Sequence, residues 1–398
     1  MFLNNFLKTN SKKDIMLKIK FENLLVIFVL TIVTGYDTIT TTMLNRTLPN
    51  IPVILLICVV LLLIFRFLFI KKFSAFYIIS SILLILTSII VFLRTGGTNF
   101  LLYSLLIILL YQADVDVVLK TYVGVSGIIV LLIFLLSILG VVPNLQFAQI
   151  RSSSLVVRNS FGFIYPTDFA SHCFYLFIAW GYLLREKYIF IRTIVGLSLA
   201  FFILKFCDAR LNALSVLAAT LIFIIMYYTK EREFKVYSIM PYFALIFSTF
   251  MFYVSYFFTW SSSFYVNLNN LFSMRLFLGK NALDTYGLPL FGKAGVKFIG
   301  YGGTTESVHS YNYVDSSYIQ MLFYYGLIPV VLLVLIYVFA SKKVHKQKKY
   351  LFLALLSLIT INCMIEAFWI RPGYNIFMFT IFANLYDIQN KEKREVRL

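Results

Sequence analysis

The chain has 398 residues, 61% of them hydrophobic. Soluble domains are about 45–50% apolar, so this composition excludes an ordinary soluble protein and points to an integral membrane protein. The net charge of +18 comes from 35 Lys and Arg against 17 Asp and Glu; these cations form short clusters between apolar runs, the positive-inside pattern, and not the single patch of a nucleic-acid binder.

A membrane-spanning helix needs about 20 apolar residues. In chain order the apolar runs predict twelve spans, at 23–43, 51–70, 74–93, 99–113, 118–142, 161–184, 190–207, 210–229, 237–259, 316–340, 350–368 and 373–388. The fourth is short and the last is interrupted by polar residues. The Lys-rich N-terminus has no apolar stretch ending in a small-residue cleavage site before Phe21. The run 23–43 therefore reads as a first span and not as a signal peptide. The predicted fold class is an all-α polytopic membrane protein with one large extracytoplasmic loop. It divides into nine spans over 1–259, a loop domain at 260–315, and three spans plus a tail over 316–398.

Lys and Arg in short loops set the orientation. With the N-terminus inside, the inner segments hold Lys8, Lys12, Lys13, Lys18 and Lys20, then Lys71 and Lys72, then Lys120. Further inner segments hold Arg185, Lys187 and Arg192, then Lys230, Arg232 and Lys235. The last two carry the clusters 342–349 and 391–397. Arg66 is expected to snorkel inward from the second span. Both termini are then cytoplasmic, and 260–315 faces outward across a plasma membrane.

That loop is too long for a simple connector, since loops above about 12–15 residues are usually functional or disordered. Its apolar residues predict an amphipathic helix near 268–283, followed by turns at Gly287, Gly292, Gly295, Gly300, Gly302 and Gly303. The outer face also carries Arg46, Arg94, Arg151, Arg158, Arg210, Arg275 and Arg371. Lys dominates inside and Arg outside. Arg makes planar, bidentate contacts with phosphate or carboxylate, so this bias predicts an outer site for an anionic, phosphate-bearing ligand. The simpler alternative is that each Arg snorkels to the headgroups. Asp208 is the nearest candidate partner for Arg210.

Other chemical motifs are sparse. The sequence has no P-loop, HExxH or GxGxxG. Asp114–Val115–Asp116 spells DxD but lies in a short inner loop, and reads as solvated charge. His172 lies on an apolar helix and reads as a satisfied polar residue of the bundle; His345 sits among lysines and reads as surface. No two histidines have metal-ligand spacing, so no metal and no cofactor is expected. Cys58, Cys173, Cys207 and Cys363 lie in apolar segments and read as small hydrophobes. Asp315 precedes the span at 316, where it either caps the helix or takes a proton from an acceptor hydroxyl. His309 is the other candidate base.

Four motifs, read in order, resemble a known family. The run from Arg158 through Phe161–Gly162–Phe163 and Tyr165–Pro166–Thr167 resembles the Arg…Gly-Phe-x-His-Pro-Asn signature of bacterial Wzy-type polysaccharide polymerases. Asp208–Ala209–Arg210 resembles their Ser-Arg helix start. Ser273–Met274–Arg275–Leu276, then Leu290–Phe291–Gly292 and Gly295, is similar to the opening of their outer loop. Asp315–Ser316–Ser317–Tyr318 through Gly326 resembles its close. Tyr165 and Thr167 replace the usual His and Asn, and Asp315 stands where the related O-antigen ligases carry a His. The base is thus open between Asp315 and His309.

The resemblance implies a GT-C-like enzyme that joins undecaprenyl-diphosphate-linked oligosaccharides at the outer leaflet. It implies Asp315, His309, Arg275 and Arg210 as catalytic residues, and Arg158, Arg151, Tyr165, Asp208, Lys297, Tyr318 and Arg371 as substrate contacts. Such enzymes need no metal or nucleotide sugar; their partners are the bilayer and the flippase and chain-length regulator of the pathway. A glycan ligase or an oligosaccharide flippase are the rival readings.

Overall fold

Apolar runs bounded by Gly, Pro and charge fold as helices because only helices satisfy every backbone group within one segment in hydrocarbon. The computed structural model describes residues 22–44, 51–67, 70, 72–151, 154–305 and 311–385. His309, Arg46, the Lys8–Lys20 cluster and the 391–397 cluster lie outside the described residues.

The helices are α1 (Glu22–Ile39), α2 (Ile51–Phe67), α3 (Ala75–Thr95), α4 (Asn99–Leu109) and α5 (Val115–Ile138). Then come α6 (Pro166–Leu183), α7 (Ile189–Phe202), α8 (Arg210–Thr229), α9 (Phe243–Tyr256), α10 (Ser263–Leu271) and α11 (Arg275–Tyr286). The last three are α12 (Ser317–Tyr324), α13 (Leu327–Lys346) and α14 (Tyr350–Asn362). Among the described residues seven helical segments are long and apolar enough to cross a membrane. They are α1, α3, α5, α7 with its π-helical end, α8, α9 with the 3₁₀ turns before it, and α13.

The structure departs from the predicted spans at definite places. The run 316–340 is two helices, α12 and α13, broken at Tyr325–Gly326. α14 has 13 residues, about 20 Å of helix at 1.5 Å per residue, against a hydrocarbon core of about 30 Å. The chain continues as buried irregular backbone carrying Cys363, Met364, Glu366, Trp369 and Ile370. The run 373–388 holds a 3₁₀ helix at Ile376–Thr380 and no α-helix among its described residues. It still reaches the far end of the bundle, where the Asn384 N–H bonds the Ala113 carbonyl at 2.7 Å. Non-helical backbone of this kind is tolerated only where protein buries it.

A two-stranded antiparallel hairpin, β1 (Gln146–Arg151) and β2 (Ser154–Asn159), stands between α5 and α6 and pairs Phe147 with Arg158. The chain thus has a loop end, with this hairpin and residues 260–315, and an opposite end. At the opposite end Arg185 holds Asp116 through two bonds of 3.0 and 2.8 Å, and Asp114 caps α5 by accepting from the Asp116 N–H. The DxD charges are therefore a helix cap and an ion pair, not free solvated charge. Arg66 does not snorkel: it is 3% exposed and donates to the Tyr111 carbonyl at 2.9 Å. Arg192 is also buried, donating to the Gly181 carbonyl.

Candidate functional site

The 260–315 loop is held against the bundle by backbone, and two glycines make this possible. Leu327 N–H donates to the Pro289 carbonyl at 2.8 Å, Ile328 N–H to Leu290 at 3.1 Å, and Lys293 N–H to Phe323 at 3.0 Å. A Cβ on Gly326 (φ +97°) would lie 2.4 Å from the Gly292 nitrogen, and one on Gly292 would lie 2.6 Å from the Tyr324 carbonyl oxygen. The Leu290–Phe291–Gly292 run is therefore the seat of the α12–α13 break.

The expected single helix at 268–283 is two helices, α10 and α11. Ser273 and Met274 separate them in left-handed conformation, at φ +50° and +69°. Such non-glycine residues cost about 1–3 kcal/mol each and persist only where surroundings over-determine them. Asn269, fully buried, does so here. Its carbonyl oxygen accepts from the Phe277 N–H at 3.0 Å, and its backbone carbonyl accepts from the Met274 N–H at 2.8 Å. The bend makes Arg275 the first residue of α11. Arg210 repeats the design: Asp208 sits at φ +45°, and Arg210 is the first residue of α8. A cation at a helix N-terminus opposes the dipole. Each has an Asp beside it in compensation, Asp208 Oδ1 at 3.3 Å from Arg210 Nε and Asp315 Oδ2 at 2.9 Å from Arg275 Nη2.

The Arg275–Asp315 pair joins the start of the loop to its end. Both side chains are mostly buried, at 18% and 24% exposure. The N-cap of α12 is Ser316, so Asp315 does not cap the helix. Burial pushes the Asp315 carboxyl above the usual carboxylate range, and the Arg275 guanidinium opposes that shift. Behind the pair lies the 363–375 segment. Ser317 donates from both its N–H and its hydroxyl to the Glu366 carbonyl, and its hydroxyl accepts from the Trp369 N–H. The Glu366 carboxylate is buried and takes a 3.3 Å bond from Asn212 Nδ2, two residues past Arg210. Arg371 pairs with Asp37 at 2.8 Å, and the second oxygen of Asp37 accepts from the Gly373 N–H at 2.8 Å. Next to it, the Tyr374 ring stacks between His172 and Phe368, each centroid 3.9 Å away. His172 is fully buried in the bundle and bonds Thr41 through Nε2 at 2.9 Å, while its Nδ1 has no side-chain partner among the described residues.

The remaining predicted site residues divide. Arg158 donates from Nε to the Cys207 carbonyl at 3.1 Å, tying the hairpin to the end of the α7 segment. Tyr165 accepts from the Gly302 N–H at 2.9 Å. Its ring meets Phe147 and Tyr301, and Tyr301 meets Tyr311, so hairpin and loop close over the start of α6 as an aromatic rim. Lys297 is exposed at the loop surface. Tyr318 is not at the site: it is 1% exposed, donates to the Thr360 carbonyl and packs on Trp369. Arg151 is described only for its place in β1.

Sequence reasoning missed Asp37, Glu366, Asn269 and Asp168, whose carboxylate accepts from the Tyr165 N–H at 3.2 Å at the start of α6. Three are acids in or beside apolar runs, and an ionisable residue in such a run is by itself a pointer to function. Asn269 carried no such signal. Comparison with protein-family models, with curated proteins and with solved structures found no match.

Proposed function

We propose that this chain is a polysaccharide polymerase that joins undecaprenyl-diphosphate-linked oligosaccharide repeat units at the outer face of a bacterial plasma membrane. In this reading the chain crosses the bilayer twelve times in a GT-C-like arrangement. Both termini are cytoplasmic, and the last crossing is made through residues 373–385, which hold a 3₁₀ helix and no α-helix. The observation that carries the reading is the Arg275–Asp315 pair, which joins a guanidinium and a carboxylate from the two ends of the loop at 2.9 Å.

The chemistry needs those two groups. A hydroxyl of the acceptor sugar attacks the anomeric carbon of the donor. The bond from that carbon to the diphosphate oxygen breaks, and its electron pair leaves with the lipid diphosphate. The hydroxyl proton passes to a carboxylate, a role this reading gives to Asp315. Arg275 and Arg210 neutralise the charge that develops on the diphosphate. Arg210 supports this role because its side chain is 60% exposed and so accessible to a ligand. The aromatic rim of Tyr165, Tyr301 and Tyr311 offers faces for sugar rings.

Purified protein in vesicles, supplied with a lipid-diphosphate-linked repeat unit, tests the reading by gel analysis of the products. A ladder of lengthening lipid-linked glycans is expected. Transfer of single chains to a separate lipid acceptor would favour the ligase, and movement of intact substrate across the bilayer with no new bond would favour the flippase.

A further inference from the structure

The hairpin of β1 and β2 has two faces of different character. Directly paired residues of an antiparallel ladder share a face, and successive residues alternate between faces. Phe147 and Arg158 form one such pair. Their face turns to the protein: the Phe147 ring meets Tyr165 and Tyr301, and Arg158 donates to the Cys207 carbonyl. Ala148 and Val157 pair on the other face, which also carries Leu155. All three are exposed, Leu155 at 68% and Val157 at 45%. A two-stranded hairpin is marginal in water without packing, so an open apolar face on one calls for a cover.

Two observations identify that cover. The first is continuity. The same face carries Asn159, whose Nδ2 donates to the Phe206 carbonyl at 3.2 Å. Phe206 lies at the end of the α7 segment, one of the seven long enough to cross a membrane. Its side chain is exposed together with Phe201 and Leu204, and Lys205 is exposed between them, as at a headgroup boundary. The root of the hairpin face is thus joined to a helix surface of lipid-facing character. The second is charge. Between Asp116 and Asp168 the chain has no acidic residue, and the charges of the hairpin are Arg151 and Arg158. Arg complements the phosphates of headgroups, and no carboxylate on this stretch repels them.

We propose that this face docks on the leaflet at the loop end of the bundle, with Ala148, Leu155 and Val157 at the boundary between headgroups and acyl chains. Leu155 stands three residues beyond Arg158, about 10 Å along a strand. The headgroup layer is about 5–7 Å thick on each side of the bilayer. An upright hairpin would lift Leu155 out of that layer, so the docked hairpin lies along the surface. Its Phe147 side then faces the aromatic rim while its Leu155 side faces lipid. The proposal is independent of the polymerase reading.

Spin labels on the full chain, in vesicles of phosphatidylethanolamine and phosphatidylglycerol, test it. Leu155→Cys and Val157→Cys are labelled in turn, with Asp284→Cys on the exposed side of α11 as the water-facing reference. Signal from the native cysteines is subtracted with the unsubstituted protein. Collisions with oxygen, which concentrates in hydrocarbon, are compared with collisions with a water-soluble nickel chelate. The oxygen-to-nickel ratio is expected to be higher at L155C and V157C than at D284C. Ratios equal to that of D284C overturn the proposal, because the face is then in water. Shielding of L155C from both reagents overturns it too, because protein then covers the face; spin–spin broadening between L155C labels would identify that protein as a second copy of this chain.

Discussion

At the scale of single residues, the proposed reaction divides the work between Arg275, for charge, and Asp315, for the proton. Losing one preorganised donor to a developing anion costs on the order of 100-fold in rate. Arg275→Ala is therefore expected to slow chain extension by at least about that factor, with the protein still inserted; retention of the normal rate in a vesicle assay would remove Arg275 from the chemistry. Arg275→Lys keeps the charge but not the planar fork, so it should recover only part of the rate. Asp315→Asn should cost on the order of 100- to 10,000-fold, the range of general-base catalysis. Because burial raises the Asp315 carboxyl, the acid limb of the wild-type pH–rate profile should lie above the ordinary Asp value of about 3.9. A limb at or below that value would point to a base other than Asp315. Both residues were legible in the sequence, Arg275 from the outward bias of arginine and Asp315 from its place before a span. Glu366 and Asp37 were equally visible as acids in apolar surroundings. Their roles were not legible, because each depends on a partner far along the chain: Asn212 for Glu366, and Arg371 for Asp37.

At the scale of elements, the site is made by interruptions. α10 stops at left-handed Ser273 and Met274, the α7 segment stops at left-handed Asp208, and α12 stops at Gly326. Each stop turns a candidate site residue or a loop contact toward the same end of the bundle. Gly326→Ala tests the last of them. At φ +97° a side chain is strained, and its Cβ would meet the Leu290 carbonyl oxygen at 2.4 Å. Strain and overpacking together predict a loss of about 3 kcal/mol. It should appear as a lowered melting temperature in detergent, with the loop more open to protease; an unchanged melting temperature would mean that the α12–α13 break does not seat the loop. Apolar periodicity located the helices well but passed over these stops. Hydropathy sees 316–340 as one run, although Gly326 lies inside it. It also has no signal for the hairpin at 146–159, whose strands alternate only loosely between apolar and polar residues. The short α14 escaped for the same reason: apart from Glu366, residues 363–370 stay apolar after the helix ends, because protein and not lipid surrounds them.

At the scale of the whole molecule, the contacts sort into two ends, and the expected Lys and Arg pattern assigns the first to the cytoplasm and the second to the outer face. Asp116–Arg185 and Asn384–Ala113 mark one end, and Arg275–Asp315 and the aromatic rim mark the other. Asp284, on the exposed side of α11, and Lys346, at the end of α13, should therefore face opposite sides of the membrane. In intact cells a membrane-impermeant thiol reagent should label Asp284→Cys directly and Lys346→Cys only after permeabilisation. The reverse pattern would invert the topology and place the arginines on the cytoplasmic side. The central claim is that the Arg275–Asp315 pair drives departure of a lipid diphosphate from a glycan. Its most direct measurement is single-turnover release of undecaprenyl diphosphate from a lipid-linked repeat unit in the presence of acceptor, with wild type, R275A and D315N side by side. The account predicts release coupled one-for-one to lengthening of the acceptor in the wild type, and release slowed by two orders of magnitude or more in both variants. Equal release from all three proteins, or release without lengthening, would contradict it.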